Sequence, residues 1–427
     1  MGHLLRSLTS PRVRTFYRVR HRLAIVLFII ALLHQQYLYL ISRESLRAKY
    51  VPTKFDLTAK RVATNFNLRI HNRHTRSWGP ENEDPQLIAN LLENRQHWRL
   101  LGNGWEGRVY VYKDSVIKTF DTVRSPFRNC APASYPTDRW PTEIPASLYF
   151  GGSASTAANE TDDTGNAKPR YDGFLPIKAH FIASNSPGSP EEWHLVTPLA
   201  EGGNLLTLAQ KLSTNPNVTS YRTIDALYRP AFNRFLSILS TMHNAGYCHD
   251  DVKPSNIFIQ GSSDWLLADL GNVREVNHPY HTSRIWRDSK QVADCRSNDV
   301  TRALRSYLKF LQMSMLNQDA FNAALFRGEE PISRLFWWTM ADAETMSADE
   351  LRRRSLAEDP EAMPAPDTRN RVHVPARTSA LLRWAANPGL TRFAVNYSLW
   401  TTLTEARARI WALVWLIDLP GMQSCEV

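Results

Sequence analysis

His249, Asp250, Asp251, Val252, Lys253, Pro254, Ser255 and Asn256 follow one another, and thirteen positions after Asn256 comes Asp269-Leu270-Gly271. A carboxylate, a nearby lysine and two further oxygen-bearing side chains are the parts that phosphoryl transfer requires. Asp251 is the candidate base that orients a hydroxyl, and Lys253 the cation that reaches the moving phosphate. Asn256 and Asp269 are candidate magnesium ligands, because Mg2+ takes oxygen donors in near-octahedral geometry. The interleaved apolar residues, Val252, Ile257, Phe258, Leu266, Leu267 and Leu270, alternate with polar ones or form short buried runs. Such runs hold a loop against a core.

Upstream, Gly102-Asn103-Gly104-Trp105-Glu106-Gly107-Arg108-Val109 spells Gly-x-Gly-x-x-Gly-x-Val. Glycines there leave backbone amides free to approach phosphates. A dinucleotide-binding turn would lead into a helix, whereas residues 108–112 alternate as a strand, with a turn at 113–115 and a second strand over 116–120. From about residue 97 to at least 311, the chain resembles a eukaryotic-type protein kinase domain on the combined order of these motifs.

That resemblance implies an α+β, two-lobed protein-kinase-like fold, with a small β-rich lobe over about 97–199 and a larger helical lobe over about 200–420. It implies that Gly102, Gly104, Gly107, Val109 and Lys118 bind ATP, and that Thr197, in the strand and hinge 193–199, borders the adenine pocket. Glu143, the only glutamate between Lys118 and Glu160, would position Lys118. Pro145 then requires its helix to start near Thr142, since proline fits only the first turn and threonine is an acceptable cap. By the same resemblance Asp251 is the catalytic base, Lys253 contacts phosphate, Asn256 and Asp269 bind Mg2+, and Asp299 braces the loop from a helix. The helix before the loop is expected over 223–244, stopped by Gly246.

Lys253 resembles the serine/threonine protein kinases rather than the aminoglycoside type of small-molecule phosphotransferase. Asp250 replaces the arginine that commonly receives an activation-loop phosphate, so a phosphate there would meet negative charge. Activity independent of phosphorylation within 272–298 is therefore expected. Leu270 replaces the usual Phe, and no glutamate falls between Glu275 and Glu329, so the Ala-Pro-Glu element is absent. The expected function is ATP- and magnesium-dependent transfer to serine or threonine hydroxyls of a protein substrate. The alternatives are a pseudokinase that binds nucleotide or a partner, and a small-molecule kinase.

The net charge of +10 is concentrated in residues 1–50, where nine Lys and Arg face only Glu44. The remainder gives no reason to expect nucleic acid as a partner. Residues 23–41 form a 19-residue apolar stretch, interrupted only at 34–36, behind the basic tail 1–22. This length suits a single-pass transmembrane helix, followed by a polar connector over 42–96 and the kinase-like domain over 97–420. A cleaved signal fits less well because 22 residues precede the apolar run; a mitochondrial presequence stays open because the first 43 residues hold no acid. The positive-inside count is tied, so the side of the membrane is undecided. Asn159, Asn217 and Asn396 lie in sequons that would favour a lumenal domain. The four widely separated cysteines are expected to be free thiols.

Overall fold

The computed structural model describes residues 11–55, 76–77, 85–104, 106–121, 129–130, 139–152, 172–184, 189–216, 220–260, 264–289, 291–363, 395 and 399. The three sequons, residues 1–10, most of the 151–173 stretch, Cys425 and the apolar segment 413–419 lie outside the described residues.

One uninterrupted helix, α1 (Pro11–Lys49), carries the apolar run and continues past its end at Ile41. It is long and apolar enough to cross a membrane, and Leu23, Ile25, Leu27, Phe28, Ile30 and Leu33 are all exposed along it.

Strand alternation builds the sheet and aims Lys118. After the two-residue β1 (Arg76–Ser77) and helix α2 (Pro85–Glu93) come β2 (Arg99–Asn103), β3 (Gly107–Tyr112) and β4 (Ser115–Phe120). A small pair, β5 (Asn129–Cys130) and β6 (Arg139–Trp140), leads to α3 (Glu143–Phe150), then to β7 (Ala179–Ser184) and β8 (Glu191–Pro198). The sheet order is β1-β7-β8-β4-β3-β2, antiparallel throughout. On one face Ile117, Phe181 and Val196 pack beneath Ile88 and Leu91 of α2. On the other Phe120, Ile182, Trp193 and Leu195 pack with Ile144 of α3. Lys118, one residue from Ile117, therefore faces α3.

Helical spacing builds the second core. After α4 (Leu205–Ser213), the long α5 (Tyr221–Asn244) presents Phe232, Phe235, Leu236 and Leu239. The chain turns at Gly246 (φ 88°) into β9 (Tyr247–Cys248), and the hairpin β10 (Ile257–Gln260) and β11 (Asp264–Leu267) follows the loop 249–256. Next come β12 (Arg274–Glu275), paired with β9, and the short α6 (Arg284–Asp288). Helix α7 (Cys295–Met313) then packs Val300, Leu304, Tyr307 and Leu308 against α5, with the Phe232 and Tyr307 rings stacked at 4.3 Å. Helices α8 (Asp319–Arg327), α9 (Pro331–Ala341) and α10 (Ala348–Ala357) complete this core.

Two expectations change. Where it is described, the stretch 42–96 is packed rather than a bare connector. Leu46, fully buried, sits among Tyr280, Ile285 and Trp286. Beyond α1 the chain runs as a strap over the segment 273–280. The Thr53 hydroxyl donates to the Val273 carbonyl (3.2 Å), His278 Nε2 to the Val51 carbonyl (3.0 Å) and the Tyr247 hydroxyl to the Lys54 carbonyl (2.7 Å). Single contacts of this kind leave no periodic apolar signal, and α2 was likewise hidden in polar surroundings. The second change concerns thiols: Cys248 and Cys295 form a disulfide, with Cα atoms 6.0 Å apart across 47 residues. The pairing of β9 beside the start of α7 creates that proximity, which sequence spacing does not disclose.

Leu46→Ala removes a fully buried side chain and is expected to cost about 2–5 kcal/mol in urea unfolding of the full chain. A loss well below 1 kcal/mol would mean that the end of α1 is not packed on the domain.

Candidate active site

Lys118 is the charge on which the sheet side of the site converges. Its Nζ donates to the Glu143 carboxylate on α3 and to Asp269 Oδ1 (3.0 Å), with Glu106 Oε2 at 3.7 Å. Burial would lower its pKa, but Asp269, Glu143 and Glu106 outweigh it and hold the ammonium well above the ordinary lysine value. Burial pushes the Glu143 carboxyl up to about 7 against the pull of Lys118. Asp269 is held at about 2, chiefly by Lys118 with burial opposing, and Lys253 contributes from the loop. The carboxylates of Glu106, Glu143 and Asp269 offer oxygens within 4.8 Å of one another. Helix α3 starts after Thr142, so Pro145 falls in its first turn, where its missing N–H costs nothing.

The glycine loop joins β2 to β3 and lies beside this lysine. Val109 pairs with Lys118 in register, and Thr197 of β8 pairs with Val116 of the same strand. Gly107 cannot carry a side chain: a Cβ would stand 1.8 Å from the Thr119 carbonyl oxygen. Gly102 and Gly104 are different. Among the described residues nothing lies within 4 Å of a Cβ at Gly102, and at Gly104 the nearest atom, the Gly107 oxygen, is 3.8 Å away.

The loop 249–256 hangs from α7 by its backbone. Asp299, fully buried, accepts the amides of His249 (2.6 Å) and Asp250 (3.0 Å). The His249 ring bonds the Ala268 carbonyl through Nε2 (3.1 Å) and the Asp251 amide through Nδ1 (3.2 Å). A carbonyl only accepts, so Nε2 carries the proton and Nδ1 is the acceptor. Lys253 Nζ reaches Asp251 Oδ2 at 2.6 Å, and Asn256 Nδ2 donates to the Asp251 carbonyl at 3.0 Å. Asp251, Lys253 and Asn256 thus form one hydrogen-bonded group. Lys118, Glu143 and Asp269 form another, and the field of Lys253 at Asp269 links the two.

Asp250 points the other way. In a left-handed conformation (φ 63°), it buries its carboxylate against Arg274 Nη1 (2.9 Å) and His281 Nε2 (2.9 Å). Burial would raise its pKa, but His281 and Arg274 bring it down to about 2. His281 also faces the Val276 carbonyl through Nδ1 (3.0 Å). Both ring nitrogens therefore face acceptors, which calls for the imidazolium. Burial lowers the His281 pKa, yet Asp250 leaves it above its ordinary value. Arg302 donates to the Asp250 carbonyl (2.8 Å) and lies 3.9 Å from Asp251 Oδ1. Sequence reasoning singled out none of Arg274, His281 and Arg302. Only the departure at Asp250 pointed to them, since a buried carboxylate needs cations nearby.

The comparisons decide the family. Serine/threonine-protein kinase UCN of Arabidopsis thaliana is 26% identical over 281 residues, covering 58% of this chain and 62% of that protein. UCNL of the same plant is 25% identical over 225 residues, 50% of this chain and 46% of its own. The chain is a divergent member of the protein kinase superfamily. A shorter match, 40% identical over 82 residues, is to serine/threonine-protein kinase PknL of Mycobacterium tuberculosis, 18% of whose length is covered. The chain spans less than two thirds of the length of each of these kinases. No protein-family model matches it.

Because the folded pKa of His281 is raised, its stabilising charge is fully present below the ordinary value of 6.5 and is lost as pH rises through the folded value. His281→Gln should therefore lower the melting temperature more at about pH 6 than at about pH 9. A pH-independent difference would show that the ring is not charged in the fold.

Proposed function

We propose that this kinase-superfamily chain transfers the terminal phosphoryl group of ATP to a serine or threonine hydroxyl of a protein. The observation that carries the reading is Asp269, held by Lys118 from the sheet side while it feels Lys253 from the catalytic loop. This supports a two-lobed arrangement with the reaction between the sheet and the helical core. The glycines add support. Among the described residues neither packing nor a positive φ calls for glycine at 102 or 104, and the open space beside both leaves the backbone accessible to a phosphate.

In this reading Lys118, kept charged by its three carboxylates, holds the nucleotide phosphates, and Val109 and Thr197 border the base. Asp251 takes the proton of the attacking hydroxyl as its oxygen bonds to phosphorus and the bond to the ADP oxygen breaks. Lys253 balances charge on the moving group. Asn256 and Asp269 fit a hard cation, since Asn256 commits its Nδ2 to Asp251, and its Oδ1, which accepts from the Ser255 hydroxyl (3.2 Å), has a second lone pair to offer. Magnesium bound there would neutralise phosphate charge. Of the hydroxyls in the segment after Asp269, Ser283, Ser289 and Ser297 are buried and Ser283 caps α6, whereas Thr282 is exposed. Asp250 already supplies the anion that Arg274 and His281 need.

Asp251→Asn in the full-length protein is expected to lower transfer from labelled ATP about 100- to 10,000-fold while nucleotide-dependent thermal stabilisation persists. Stabilisation by ATP with no transfer in the parent protein would favour a pseudokinase instead.

We further propose that α1 anchors the protein in a membrane, with the kinase domain on the oxidising side. The Cys248–Cys295 bond supports that side, because such bonds do not persist among reducing thiols. Full-length protein from cells should lose mass on glycosidase treatment, and Cys248 and Cys295 should resist alkylation until reduced. Free alkylation of both without reductant would place the domain in the cytosol.

A further inference from the structure

A cavity of about 180 Å3 opens beside the catalytic loop, lined by Lys253, Arg305 and Lys309 together with Ser255, Ser306 and apolar side chains. Among the described residues three cations line it and no acid does. Elsewhere in the fold buried cations meet carboxylates: Arg229 bonds Asp225, Arg274 bonds Asp250 and Arg334 bonds Glu358. Arg305 and Lys309 break that pattern, while Lys253 keeps Asp251 as its partner. Among the described residues, the Arg305 Nη2 reaches only the Met340 sulfur (3.5 Å) and its buried Nε has no partner. Burial and neighbouring Arg302 both depress the Arg305 pKa, which an anion in the cavity would reverse. Lys309 makes no ion pair among the described residues.

The placement is set by α7. Arg302, Arg305 and Lys309 fall at helical spacing on one face, stepping away from the loop. Arg302 is spent on the Asp250 carbonyl and Gln291 Oε1 (2.7 Å), so Arg305 and Lys309 are the cations left for a ligand. Lys253 joins the cavity to the site, because its Nζ lies 2.6 Å from Asp251 Oδ2. An anion in the cavity thus lies next to the hydroxyl that Asp251 would orient. A planar guanidinium flanked by ammonium groups and hydroxyls suits a carboxylate or a phosphate.

Resting on the phosphoryl-transfer reading, we propose that this cavity binds an anionic side chain of the acceptor, so that the substrate is an acidic or previously phosphorylated peptide. The test uses full-length protein in detergent micelles and serine peptides that differ at one flanking position, occupied by Glu, phosphoserine, Gln or Lys. At the best position the Glu or phosphoserine peptide should exceed the Gln peptide about tenfold in kcat/KM, mostly through KM. The ratio between the Glu and phosphoserine arms identifies the natural anion. Lys309→Gln should bring both toward the Gln peptide, and Lys309→Glu should favour the Lys peptide. Asp251-dependent transfer with equal kcat/KM for all four peptides would overturn the cavity assignment and leave the kinase reading intact. Should transfer be absent, fluorescence anisotropy of the labelled Glu peptide reads binding directly. Salt-sensitive binding weakened by Lys309→Gln upholds the proposal, and binding indifferent to Lys309, or none, overturns it.

Discussion

The buried carboxylate of Asp299 is the contact on which the site is hung. Two consecutive loop amides, of His249 and Asp250, converge on its two oxygens, and a fully buried anion so bonded is costly to move. The helix that carries it serves the loop repeatedly. Cys295 ties the first turn of α7 to the strand before the loop, Arg302 holds the Asp250 carbonyl, and Arg305 and Lys309 line the cavity beyond. One rigid face, packed against α5 on its other side, thus sets the backbone of the loop and the charge around it.

Around that frame the electrostatics divide by direction. Asp250 and Asp251 are adjacent, yet the left-handed turn at Asp250 sends one carboxylate into the core and leaves the other beside Lys253. A strained backbone of about 1–3 kcal/mol is stable only where the surroundings over-determine it. Here Arg274, His281 and Arg302 do so. The inward carboxylate is held as an anion by Arg274 and His281. On the sheet side the polarity is opposite, with one lysine among three carboxylates.

The segment after Asp269-Leu270-Gly271 has no Ala-Pro-Glu element, and its support comes from elsewhere. The end of α1 and the strap 51–55 cover it, through Leu46 against Ile285 and Trp286, Val51 with His278 and Thr53 with Val273. The Cys248–Cys295 bond lies within the same cluster. Helix α1 is thus apolar and exposed in its first part and packed against this segment at its end.

Much of this was legible in the linear chain. Alternation over 108–120 marks β3 and β4, helical spacing marks α5 and α7, and the motif order is enough for the superfamily, because these signals are local and repeat along the chain. The pairing of Lys118 with Glu143 follows the sequence expectation, Pro145 marking where the helix must begin, whereas Thr142 stands at that start without capping it and gives its hydroxyl to Asn129 Oδ1 instead. Tertiary structure alone decided the rest: the disulfide across 47 residues, the strap of 51–55, the cations around Asp250 and the acid-free cavity. None of these has a period or a motif. Each is a meeting of groups distant in sequence, and a charge or a thiol acquires its partner only when the chain has closed around it.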